Sequence, residues 1–66
     1  MHIGRLIHRK LLEKHMTVVS FAERLSCTRV NAYKIFNKKS IDTDMLLRIS
    51  SILEYDFFQH YSNMLK

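Results

Sequence analysis

The chain has no proline, no tryptophan, one cysteine and one glycine among its 66 residues. Each shortage excludes something. Without proline or a Gly/Ser-rich stretch there is no linker signal, so residues 1–66 are read as a single domain. Cys27 has no second cysteine to pair with, so no disulfide closes within the chain and no CxxC metal pair exists. No apolar run approaches the ~20 residues that cross a bilayer. The lone cysteine and the lack of a leader-like segment give the expectation of a reducing cytoplasm.

Other chemistry is also missing. No glycine-rich loop is available to cradle a nucleotide, and no Ser, His and acid spacing converges on a reaction centre. No catalytic residue is therefore assigned, and the chain is read as a non-enzyme. His8 and His15 lie two helical turns apart, and no HxxxH spacing occurs, so no metal or other cofactor is expected.

Positive charge is what the chain has in excess, with a formal net of +5. Its distribution is uneven. Residues 24–40 carry Arg24, Arg29, Lys34, Lys38 and Lys39 and no acid, whereas residues 41–58 carry Asp42, Asp44, Glu54 and Asp56 against Arg48 alone. Basicity gathered in one segment points to a directed polyanion site.

The apolar spacing is helical throughout and no segment alternates like a half-buried strand. Ile3, Leu6, Ile7 and Leu11 predict a first helix from about Ile3 to Lys14, with His15 at its exit in a left-handed conformation. Thr17 is a natural N-cap for a second helix with Val18, Phe21, Ala22 and Leu25 inward. Ser26-Cys27-Thr28 makes a turn, and Thr28 caps a third helix, Arg29 to about Asn37, with Ala32, Ile35 and Phe36 inward. Asp42 or Thr43 caps a fourth helix with Met45 or Leu46, Ile49, Ile52 and Leu53 toward the core. Asp56 is expected to cap a last helix through Phe57, Phe58, Tyr61, Met64 and Leu65. The expected fold is an all-α domain of five short helices. A core this small is worth no more than roughly 3–5 kcal/mol net.

The third helix turns Ala32 and Ile35 inward and Arg29, Val30, Tyr33 and Lys34 outward. Small residues at Ala22 and Ala32 allow two helices to cross closely, and a three-residue turn holds the second of them rigidly. Val18 to Asn37 resembles the helix-turn-helix of the phage-repressor family, the Cro-like or Xre-type DNA-binding domains. The resemblance is carried by Phe21-Ala22, Leu25, Thr28 and Ile35, and extends to the LLRISSIL stretch and the closing YDFFQHY. Where the family usually has a left-handed glycine in the turn, this chain has Ser26, and where it often has Val or Ile, this chain has Ala32.

That resemblance implies a compact lambda-repressor-like domain and a transcriptional regulator that binds double-stranded DNA, bacterial or phage-encoded. Position by position, it places Thr28, Arg29, Val30, Tyr33 and Lys34 at base edges in the major groove. It places Thr17, Val18, Asn37, Lys38, Lys39, Ser40 and Thr43 at phosphates, with Val18 contributing through its backbone. A module this small implies a homodimer on a pseudo-palindromic operator. Phe57, Phe58 and Tyr61 are its candidate contacts: such aromatics are more often core than interface, but helical spacing lets Phe57 and Tyr61 lie together while Phe58 turns elsewhere, which leaves at least one of the three at the surface. The competing readings are a protein-interaction module of antitoxin or anti-repressor type and a non-specific nucleic-acid binder. No membrane partner and no small-molecule ligand are expected.

Overall fold

The structure, a computed structural model covering residues 1–66, is all-helical. Its five helices are α1 (Ile3–Glu13), α2 (Val18–Arg24), α3 (Arg29–Phe36), α4 (Thr43–Leu53) and α5 (Phe58–Asn63). No helix is long and apolar enough to cross a membrane. One core holds them together. Ile3, Ile7 and Leu11 from α1, Phe21 and Ala22 from α2, Ala32, Ile35 and Phe36 from α3, and Leu46, Ile49 and Leu53 from α4 all contribute to it. These positions are the inward stripes predicted by helical spacing, and Leu6, Val18, Met45 and Ile52 flank them half-buried.

The helix starts follow from hydroxyl and carboxylate caps. Thr17 Oγ1 accepts the Ser20 N–H at 3.0 Å, Thr28 Oγ1 the Asn31 N–H at 3.2 Å, and Asp42 Oδ1 the Met45 N–H at 2.8 Å. Each satisfies one of the first-turn donors that a helix cannot satisfy itself. His2, which no sequence signal marked, plays the same part for α1 by accepting the Arg5 N–H.

Three helix ends share one geometry. His15, Ser26 and Glu54 all have positive φ, at 57°, 58° and 50°. Around each, the left-handed residue's N–H and the next one's reach back into the last turn. For α2 these are Ser26 N–H to Glu23 O at 3.1 Å and Cys27 N–H to Ala22 O at 2.9 Å. Met16 and Tyr55 close α1 and α4 in the same way, on Leu11 O and Ser50 O. These are Schellman ends made without glycine. An L-residue there is strained by about 1–2 kcal/mol, partly offset because glycine loses more backbone freedom on folding. Accordingly, Ser26→Gly, His15→Gly and Glu54→Gly should each stabilise the domain by about 0.5–1 kcal/mol, read as a rise of several degrees in thermal midpoint.

The C-terminal element corrects one expectation. Phe57 lies just before α5 and is fully buried, with the Tyr55 ring edge-on to it at 4.8 Å. Asp56 still engages the helix start, accepting the Phe58 N–H at 2.9 Å, but α5 begins one residue later than expected and ends at Asn63. Phe57 is therefore core and not a surface contact. Phe58 and Tyr61 are half-buried against the same core, and Met64 and Leu65 stand exposed beyond the helix.

Candidate nucleic-acid interface

With Ala32, Ile35 and Phe36 inward, the opposite face of α3 has to project. Val30 is 64% exposed and Tyr33 52%, and Arg29, Lys34 and Asn37 are exposed around them. Leu12 and Leu47 are exposed to a similar degree elsewhere, but only on α3 do an exposed valine and tyrosine stand between cations, where a partner would cover apolar surface and meet charge together. The Tyr33 ring is braced from behind. It meets Phe36 edge-on at 5.9 Å, and Phe36 in turn stacks on Phe21 at 5.8 Å and lies flat on the His8 imidazole of α1 at 4.3 Å. The aromatic column fixes where the Tyr33 hydroxyl emerges. The Thr28 oxygen is occupied as a cap, but its O–H is left to donate outward.

The charges of this face are free. The one ion pair in the molecule joins Lys10 to Glu13 at 3.0 Å, on α1. Arg24, Arg29, Lys34, Lys38 and Lys39 have no carboxylate within ion-pair distance. Their like-charge repulsion is unrelieved within the monomer, which is what a polyanion site requires.

The loop from Asn37 to Ser40 is exposed along its whole length, yet its backbone is pinned. The N–H groups of Ile3 and Gly4, in the first turn of α1, donate to Lys39 O at 3.1 Å and Lys38 O at 2.9 Å. With the carbonyls turned in toward α1, the exposed lysine side chains are held at the surface on a fixed main chain. At the other end of the helix pair, Arg48 of α4 donates from Nη2 to Leu25 O at 2.8 Å. That bond ties α4 to the turn that launches α3.

The remaining predicted residues fall around this centre. Thr17 heads α2 with its oxygen already capping, Val18 turns its side chain half inward, and the Val18 and Val19 N–H groups are first-turn donors with no partner in their own helix. Thr43 is exposed, but it sits between Asp42 and Asp44, and Asp42 already fills the N-terminal end of α4. An anion at Thr43 meets two carboxylates, so the cationic burden of the loop rests on Lys38 and Lys39.

Three positioning residues carried no role in the sequence reading: Gly4, His8 and Arg48. Gly4 had a signal. It is the only glycine and stands inside a helix, where glycine costs about 1 kcal/mol against alanine unless packing requires it. His8 and Arg48 act across the chain, on Phe36 and Leu25, and nothing local marks them.

No family model, curated protein or solved structure matches this chain.

Proposed function

We propose that this protein is a sequence-specific DNA-binding regulator of the Cro-like or Xre type, reading the major groove with α3. The observation that carries this reading is the combination on one rigid helix face of exposed Val30 and Tyr33 with cations that have no ion-pair partner. In this reading Arg29 forks onto guanine, Val30 meets a thymine methyl, and Tyr33 and Lys34 contact base edges or phosphates. Lys38 and Lys39, with Asn37 and Ser40, hold the backbone on one side, and the head of α2 at Thr17 and Val18 holds it on the other. Two copies joined through Phe58 and Tyr61 place their α3 helices in successive major grooves about 34 Å apart. Regulation then follows from occlusion or from contact with another protein, and no enzymatic step is assigned.

Two substitutions separate reading from positioning. Arg29→Ala should relax preference at one base position and cost about 1–3 kcal/mol on the preferred site. Lys39→Ala should weaken all duplexes alike and lower the slope of log affinity against log salt by roughly one. Titrations of a labelled duplex across a salt series measure both. If Arg29→Ala leaves affinity and preference unchanged, the assignment of α3 fails. For the dimer, light scattering that finds only monomer at high concentration, with and without DNA, would exclude it.

A second reading draws on the same exposed Val30 and Tyr33: an acidic protein partner docked on α3. It predicts saturable binding of one protein and no duplex preference above ~10³, the ratio a specific DNA binder is expected to reach.

A further inference from the structure

Beside the outward face of α3 lies a cleft of about 250 Å³, between α3 and the start of α4. Its floor is apolar, formed by Leu25, Cys27, Ile35 and Met45. Lys34 and Lys38 make its lip. Lys34 lies in the last turn of α3 and Lys38 two residues beyond its end, so two cations line one cleft, and like charges so placed repel. No carboxylate pairs with either, and none lines the cleft. The acids nearest the floor in sequence, Asp44 beside Met45 and Glu23 two residues from Leu25, are exposed and outside the lining, and Asp42 accepts the Met45 N–H. Asn31 adds a side-chain amide at the wall.

An apolar floor under two unpaired cations selects a class of ligand. A cation gains nothing there. A fully apolar molecule leaves the lysines as they are. An anion with a short apolar body fills the floor and relieves the repulsion at the lip. The size agrees, since a cavity of about 150 Å³ holds benzene and this cleft has room for an aryl ring with a short acid arm. The molecule's other cleft, of about 170 Å³ between α1 and α5, makes no comparable demand. There Lys10 pairs with Glu13 and lies over the Tyr55 ring, Tyr55 bonds His60, and Arg9 shares the lining with the Glu13 carboxylate.

We propose that this cleft binds a small amphipathic carboxylate, with its apolar body on Leu25, Cys27, Ile35 and Met45 and its carboxylate on Lys34 and Lys38. We infer further that occupation releases the protein from DNA. This second part rests on the function proposed above, because Lys34 and Lys38 are shared by ligand and duplex.

The test uses the intact chain, with 3-phenylpropionate and its primary amide as probes. Methyl resonances of Ile35 and Met45 report binding. The expected dissociation constant for the acid is ~1 mM, as suits a small ligand in a half-open cleft. The amide should bind at least about 5-fold more weakly, and Lys34→Gln or Lys38→Gln should bring acid and amide toward equal affinity. Equal binding of acid and amide to the unaltered chain overturns the site, as does a response confined to residues of the α1–α5 cleft.

The competition is read separately. At constant ionic strength, saturating 3-phenylpropionate should weaken duplex binding about 10-fold while the amide leaves it unchanged. Undiminished duplex binding with the cleft filled overturns the competition. A chain that binds the acid but no duplex refutes the DNA reading and supports the site.

Discussion

Gly4→Ala is expected to remove most of the stability of the domain. A Cβ at this position falls well inside 3.0 Å of the main-chain carbonyl oxygens of Ile35 and Phe36. Backbone cannot rotate aside as a flexible side chain can, so α1 has to move away from the end of α3. That movement also strains the bonds from Ile3 and Gly4 to Lys39 and Lys38, which join α1 to the loop. Overpacking of this kind costs typically 1–3 kcal/mol and more where nothing yields. The whole domain has only about 3–5 kcal/mol to lose. The sign is diagnostic, because alanine for glycine in an unconstrained helix stabilises by about 1 kcal/mol. Urea unfolding followed by helical circular dichroism should show the variant largely unfolded at 25 °C, or with a midpoint reduced by more than half. A gain in stability would mean that α1 does not cross α3 at this distance.

Val30→Glu is the opposite kind of change, with a large effect on binding and none on folding. Val30 is 64% exposed and is not one of the buried core residues. It lies in the first turn of α3, where a carboxylate is favoured by the helix dipole. The thermal midpoint should stay the same or rise slightly. Against DNA the same carboxylate faces phosphates and base-edge acceptors at the centre of the proposed interface. Like charge so placed costs several kcal/mol, and duplex affinity should fall by at least about 100-fold at fixed salt. Val30→Ala, which removes the methyls without adding charge, should lose no more than about 10-fold. Fluorescence anisotropy beside a melting curve measures the pair. Unchanged affinity in Val30→Glu would remove α3 from the interface.

Much of this fold was legible because local rules agree with one another along the chain. Thr17, Thr28 and Asp42 could be read as caps from residue type and position, and each accepts the expected N–H. His15 could be placed in a left-handed turn, since helical spacing stops just before it, and Ser26 stands where the resemblance puts a left-handed glycine. Glu54 could not, because glutamate carries no preference for that geometry and its conformation is imposed by how α4 hands over to Tyr55. Which of Phe57, Phe58 and Tyr61 would be core could not be read from spacing alone, and the structure buries Phe57 fully while α5 starts one residue later than Asp56 suggested. For the α3 face, the direction of Val30, Tyr33 and Lys34 followed from the wheel. What supports it did not. The flat stacking of His8 on Phe36 and the Arg48 bond to Leu25 join residues 28 and 23 positions apart, and pairings at that range leave no mark in a single sequence. The cleft under Lys34 and Lys38 has the same character, since Met45 reaches it from another helix.

The central claim is that α3 reads a DNA sequence. Its most direct test is selection of bound duplexes from a random pool by the unaltered chain, with Val30→Glu carried in parallel. The account predicts enrichment of one motif, arranged as two inverted half-sites whose centres lie about one helical turn apart, and no enrichment by the variant. A pool that stays random after repeated rounds with the unaltered chain, or the same motif emerging with Val30→Glu, would contradict it.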